Sequence, residues 1–135
     1  MNATLPARPN GRPATHAEIF VVDDDAMIVT LLDALLHSAG YEPRLFRDPA
    51  ALLEAMEHTE HPPRLLITDF EMGRLSGLDV IERCRALHPE LKTILVSGSV
   101  DDEFARSCRV PPDRFFAKPF QARELLAAVR QLMGD

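Results

Sequence analysis

Four short segments carry side chains able to do chemistry: Asp23-Asp24-Asp25, Asp69 with Glu71 close behind, Ser97-Gly98-Ser99, and Lys118-Pro119-Phe120. Carboxylates, a hydroxyl and an amine make a donor set for a hard cation and a phosphoryl group. Magnesium takes a few carboxylate oxygens and fills its shell with water and phosphate oxygens. Asp23 and Asp24 with Asp69 would supply that charge, and the cation would relieve their mutual repulsion. Ser97 can hydrogen-bond one phosphoryl oxygen, and Lys118 can neutralise another as a point charge. A carboxylate nucleophile can take a phosphoryl group as an aspartyl phosphate. Catalysis of that transfer is mostly positioning and charge stabilisation.

Such chemistry requires elements that bring the segments together. Each segment directly follows a strand candidate, the five candidates being 19–22, 42–46, 65–68, 93–96 and 114–117. Ile19-Phe20-Val21-Val22 and Leu65-Leu66-Ile67 are continuously apolar, as expected of strands covered on both faces. Helix candidates lie between and after the strands, at 26–39, 49–58, 77–87, 101–108 and 121–133. In the first, Ile28, Leu31, Leu32, Leu35, Leu36 and Ala39 recur at three- and four-residue spacing and form one apolar stripe. Gly40 stands at a helix C′ position, Asp48-Pro49 reads as an N-cap with proline at N1, and His88-Pro89 closes the third helix. Strand–helix alternation repeated five times predicts an α/β fold: a doubly wound, five-stranded parallel sheet in the flavodoxin-like order 2-1-3-4-5, helices on both faces. In such sheets ligands bind beyond the carboxyl ends of the strands, where the four segments fall.

Composition narrows the function classes. The chain has 135 residues, 46% hydrophobic and 27% charged, which suits one globular domain. Residues 1–17 hold Arg8, Arg12, several prolines and no acid, and read as a flexible tail before a domain at 18–135. Removing those two arginines turns the net charge of −6 into −8 over the domain. That acidity argues against direct DNA binding, which needs lysine and arginine at phosphates. No apolar run reaches the roughly 20 residues that span a bilayer, and no signal-peptide pattern opens the chain, so no membrane contact and a cytoplasmic location are expected. Cys84 and Cys108 lack zinc or redox spacing and read as small helix residues.

The segments VVDDD, LLITDFEMGRLSGLDVI, ILVSGS and RFFAKPF, in this order and at successive strand ends, resemble the receiver domain of bacterial two-component response regulators. The resemblance covers residues 19–133. It implies Asp69 as phosphoacceptor, Asp24 as direct magnesium ligand, Asp23 as its water-mediated companion, and Glu71 as the residue whose backbone carbonyl meets the metal. It implies Ser97 as switch hydroxyl, Phe115 as switch aromatic, Lys118 as phosphate-contacting lysine, a cis bond before Pro119, and Gly77 as turn glycine. The implied partners are a sensor histidine kinase or phosphotransfer protein and a downstream protein. A homodimer through the fourth helix, fifth strand and fifth helix is also within the family's repertoire. Two departures stand out. The usual Met-Pro is Met72-Gly73 here, and the usual Ala-Gly-Ala before the last strand is Val110-Pro111-Pro112, so the fourth helix should stop early.

Each motif has a plainer reading as well. Asp23-Asp24-Asp25 could cap a helix, but one acid suffices, Asp25 being best placed, and two remain. Ser97 could be a turn residue and Lys118 a solvated one. Strand alternation should leave one of Phe115 and Phe116 in the core and the other partly exposed. His58 and His61 have an i, i+3 spacing that could ligate a metal, but lie in a charged, proline-terminated stretch. A phosphatase of the haloacid dehalogenase type would also use the DxD of Asp23 and Asp25, yet Met27 replaces its threonine or valine and Asp69 would be idle. A phosphorylation-independent interaction module would leave all five site residues unexplained. The expected function is a phosphorylation-controlled switch, not a turnover enzyme. With no second domain following helix five, a stand-alone receiver acting through protein contacts is expected.

Overall fold

A computed structural model describes residues 17–135. The elements run β1 (Ile19–Val22), α1 (Ala26–Ser38), β2 (Arg44–Phe46), α2 (Pro49–His58), β3 (Leu65–Asp69), β4 (Glu71–Met72), β5 (Leu75–Ser76), α3 (Gly77–Leu87), β6 (Lys92–Ser97), α4 (Asp102–Arg106), β7 (Arg114–Ala117) and α5 (Ala122–Met133). The main sheet is parallel in the order β2-β1-β3-β6-β7, the expected flavodoxin-like arrangement. Residues 1–16, on which the tail expectation falls, lie outside the described residues. Ala17, counted with the tail, is half-buried against the core.

Strand alternation splits the core into two layers. Ile19, Val21, Ile67, Ile94, Val96 and Phe116 face α1 and α5, meeting Leu32, Leu36, Leu125 and Val129. Phe20, Val22, Leu66 and Leu95 face the other way, meeting Leu52 and Met56 of α2, Val80, Ile81 and Cys84 of α3, and Ala105 of α4. Burial on both faces is why β1 and β3 read as unbroken apolar runs.

Helix ends follow local chemistry. Asp25 caps α1 by accepting from the Met27 amide at 2.9 Å. Gly40, at φ +92°, closes that helix: its amide donates to His37 and the Tyr41 amide to Leu36, a Schellman pair that a residue with a Cβ would strain. Asp48 caps α2 with Pro49 in the first turn, and Ser76 and Asp79 form a reciprocal capping box on α3.

Two elements differ from the sequence expectation by more than one residue at an end, and one hairpin is additional. β2 begins at Arg44 rather than residue 42, because Pro43 has no N–H for the ladder. α4 covers five residues, not 101–108: Asp101 is its cap, and Pro111 and Pro112 could not donate to the carbonyls of Ser107 and Cys108 had it continued. Cys108 therefore lies beyond the helix. The loop after β3 contains the unexpected β4–β5 hairpin, whose two-residue turn puts Gly73 at φ +83°. A first turn position with positive φ favours glycine and excludes proline, so Met72-Gly73 accompanies a hairpin.

Candidate functional site

Parallel strands all end on one edge, and that edge collects the candidate residues. β1 ends at Val22 and delivers Asp23, which is 2% exposed, followed by the exposed Asp24. β3 ends in Asp69, β6 in Ser97, and Lys118 follows β7. Asp23, Asp24 and Asp69 each offer a carboxylate oxygen within 4.8 Å of the others. Lys118 Nζ sits between two of them, donating to Asp69 Oδ1 at 2.9 Å and Asp23 Oδ2 at 3.1 Å. The Lys118–Pro119 bond is cis.

Electrostatics at this edge are strained in one direction. Burial raises the pKa of Asp23 above the usual carboxylate value. The Asp25 amide, donating to Asp23 Oδ1 at 2.9 Å, opposes that shift, the negative charge of Asp69 adds to it, and Lys118 opposes it. Burial works against the Lys118 ammonium too, but its hydrogen bonds to Asp69 and Asp23 and their charges outweigh burial and hold its pKa above the ordinary lysine value. Three carboxylates against one ammonium leave two negative charges in excess. An all-oxygen cluster with that excess fits a divalent cation such as magnesium.

Backbone contacts fix the geometry around Asp69 and Ser97. A Cβ on Gly77 would stand 2.2 Å from the Asp69 carbonyl oxygen, so only glycine lets α3 start against the end of β3. The Gly77 amide donates to Phe70 at 2.7 Å and the Phe70 amide to Val96 at 3.1 Å, which ties Asp69 between neighbours. Ser97 is 1% exposed, and its Oγ accepts from the amides of Ser99 and Val100, both at 3.0 Å. Phe116 is buried and Phe115 half-buried, as alternation requires; Phe115 borders an open groove of about 390 Å³ with Asp102, Arg106 and Pro112. Glu71 opens β4 with its side chain exposed.

Asp23, Asp24, Asp69 and Lys118 are thus brought together, with Ser97 at the adjacent strand end. His58 and His61 are not: among the described residues the only grouped set of potential metal ligands is Asp23, Asp24 and Asp69, and His58 Nδ1 instead lies 2.9 Å from the Glu54 carbonyl. Cys84 is fully buried, and burial pushes its thiol up to about 12, which removes it from chemistry at neutral pH.

Two contacts escaped sequence reasoning. Arg47 directs Nε and Nη2 at the Asp24 carbonyl, at 3.3 and 3.2 Å, bracing the loop that carries the acids. Phe70 meets Phe104 of α4 edge to face, with ring centroids 5.9 Å apart. Neither has a spacing signal, because each partner lies on a different element.

Comparison with known proteins bears on this geometry. The family model described as response regulator receiver domain matches residues 19–130. The response regulator protein TodT of Pseudomonas putida is 31% identical over 113 residues, 83% of this chain and 49% of its own length. The transcriptional regulatory protein PrrA of Mycobacterium tuberculosis is 31% identical over 121 residues, 88% of this chain and 51% of its own. The chain therefore spans about half the length of these curated relatives. Among solved structures, the receiver domain of NtrX from Brucella abortus superposes with a TM-score of 0.77 at 32% identity, covering 86% of this chain and 98% of that one. A CheY-like receiver domain protein from Methanospirillum hungatei gives 0.77 at 26% identity, covering 86% and 93%.

Proposed function

This chain belongs to the response regulator receiver domain family, and we infer that it is a phosphorylation-controlled switch with Asp69 as phosphoacceptor. The observation that carries the assignment is Asp69 at the end of β3, held by Lys118 at 2.9 Å and flanked by Asp23 and Asp24. A carboxylate oxygen of Asp69 attacks the phosphorus of a phosphohistidine on a sensor kinase or phosphotransfer protein. The new O–P bond forms as the N–P bond breaks, and the leaving imidazole takes up a proton. Lys118, already on Asp69, stays as the point charge for a phosphoryl oxygen, and Ser97 hydrogen-bonds another.

Asp23, Asp24 and Asp69, with the Glu71 backbone carbonyl, would hold magnesium. When bound, that ion offsets the repulsion between the carboxylates and an incoming phosphoryl group. The chain's own contribution is to orient Asp69 and keep Lys118 in reach. Ser97 and Phe115 carry the change outward to the segment between Asp101 and Asp113, which docks a downstream protein. Protein contacts in the cytoplasm, without direct DNA contact by this domain, suit its acidity. A homodimer through α4, β7 and α5 would use the same face.

The test is intact-mass measurement after incubation with acetyl phosphate and magnesium. One adduct of about 80 Da, the HPO₃ gained in aspartyl-phosphate formation, is expected. Asp69→Ala abolishes it, and Asp24→Asn weakens magnesium binding in an NMR titration. Stoichiometric labelling of the Asp69→Ala protein overturns the assignment.

A further inference from the structure

Ser97 Oγ has three polar neighbours within hydrogen-bonding distance. A hydroxyl owns one hydrogen and two lone pairs. The amides of Ser99 and Val100 both donate to this oxygen at 3.0 Å and occupy both lone pairs. A third polar neighbour, Ser99 Oγ, lies 3.3 Å away. With its lone pairs engaged by the amides, Ser97 is the one of the two hydroxyls placed to act as donor, directing its single hydrogen at Ser99 Oγ. Ser97 is 1% exposed, so water offers little alternative.

If Ser97 is the switch hydroxyl of a receiver, the reading on which this inference rests, that hydrogen is contested. A phosphoryl group on Asp69 needs the same hydrogen that Ser99 holds. We propose that Ser99 is a positioning residue that sets the resting state: it competes with the phosphoryl group for the Ser97 hydrogen. Charged phosphoryl oxygens are the stronger acceptors and win. The hydrogen then leaves Ser99 Oγ, while the two backbone amides keep their hold on Ser97 Oγ. Any movement of that oxygen therefore draws with it the backbone of Ser99 and Val100, which leads directly into Asp101, the cap of α4. Ser99 is exposed and its hydroxyl meets Ser97 only through this long contact, so its removal costs the fold little.

Beryllofluoride with magnesium serves as the phosphoryl probe, and its dissociation constant is read by NMR titration of the Ser99 and Val100 amides. Ser99→Ala should bind it roughly 2- to 12-fold more tightly, the range a neutral hydrogen bond spans. Ser99→Thr, which keeps the hydroxyl, should return to the wild-type value. On a Ser97→Ala background, Ser99→Ala should change nothing, because the contested hydrogen is gone. Unchanged or weaker binding by Ser99→Ala, or an equal gain on the Ser97→Ala background, overturns the competition and leaves the receiver reading intact. Failure of the wild-type protein to bind the probe overturns both.

Discussion

Helices α4 and α5 pack on opposite faces of the β6–β7 side of the sheet, and they are held by very different means. α5 runs twelve residues and buries Leu125, Ala128, Val129 and Met133. α4 runs five and buries Ala105 alone, with Phe104 half exposed against Phe70. The end of α5 is also pinned: Arg64 donates to the Met133 carbonyl, and Tyr41 Oη donates to Asp135 Oδ2 at 2.6 Å. Stability is local, and elements with few buried apolar contacts open first. Motion in this domain therefore has a preferred location. The α5 face is part of the rigid frame, while α4 sits at the low-stability end, next to the β6–α4 loop that carries Ser97's hydrogen-bond partners.

The sharpest break would come from the core. Leu125→Ala removes a side chain with no exposure and should cost about 2–5 kcal/mol, read from denaturant midpoints. Phe104→Ala removes a half-exposed ring whose pairing is worth only about 0.5–1.5 kcal/mol. Equal losses for the two substitutions would refute the contrast between the helices.

Much of this frame was legible in the sequence, for identifiable reasons. β1 and β3 declared themselves because burial on both faces leaves no polar position in Ile19–Val22 or Leu65–Ile67. The site acids were legible because parallel strands send all carboxyl ends to one edge, so position in the strand predicts proximity. α4 reads three residues too long in the sequence because Asp101 caps from outside and the prolines act on carbonyls several residues upstream. The β4–β5 hairpin is nearly silent there because two-residue strands carry no period, Gly73 being its one signal. The Arg47 contact with Asp24 and the Phe70–Phe104 pair depend on distances between separate elements, and no linear pattern encodes those.

A smaller effect tests the motion itself. If phosphorylation orders the weakly held segment, amide hydrogen exchange with beryllofluoride and magnesium should show protection rising most within residues 98–114, with α5 changing little. Exchange there without the probe should already be faster than in α5, because α4 breaks locally rather than with the whole domain. Full protection of 98–114 in the unmodified protein, or the largest change on α2 and α3, would overturn this mechanism while leaving the family assignment standing.

The smallest effect concerns the pin at the end of α5. Burial, then the hydrogen bond to Asp135 and its negative charge, raise the Tyr41 phenol from 10.0 to about 12. The sign comes from proton binding in the two states. The unfolded chain releases this proton near pH 10, while the folded chain keeps it to about pH 12. Between these values the folded state holds more protons, so stability falls as pH rises. Below pH 10 both states are protonated, and the contribution is fully present. Tyr41→Phe should therefore cost about 0.5–1.5 kcal/mol near pH 8, the worth of one hydrogen bond. The deficit should shrink as pH climbs from 10 toward 12, because only the wild type is losing this increment. Denaturant midpoints of both proteins at pH 8, 10 and 11 measure the difference directly, since every other titrating group is shared. Curves that stay parallel across that range would mean that the Tyr41–Asp135 contact does not pin α5. The helix would then rest on its buried face and on the Arg64 contact with the Met133 carbonyl, and its contrast with α4 would owe nothing to Tyr41.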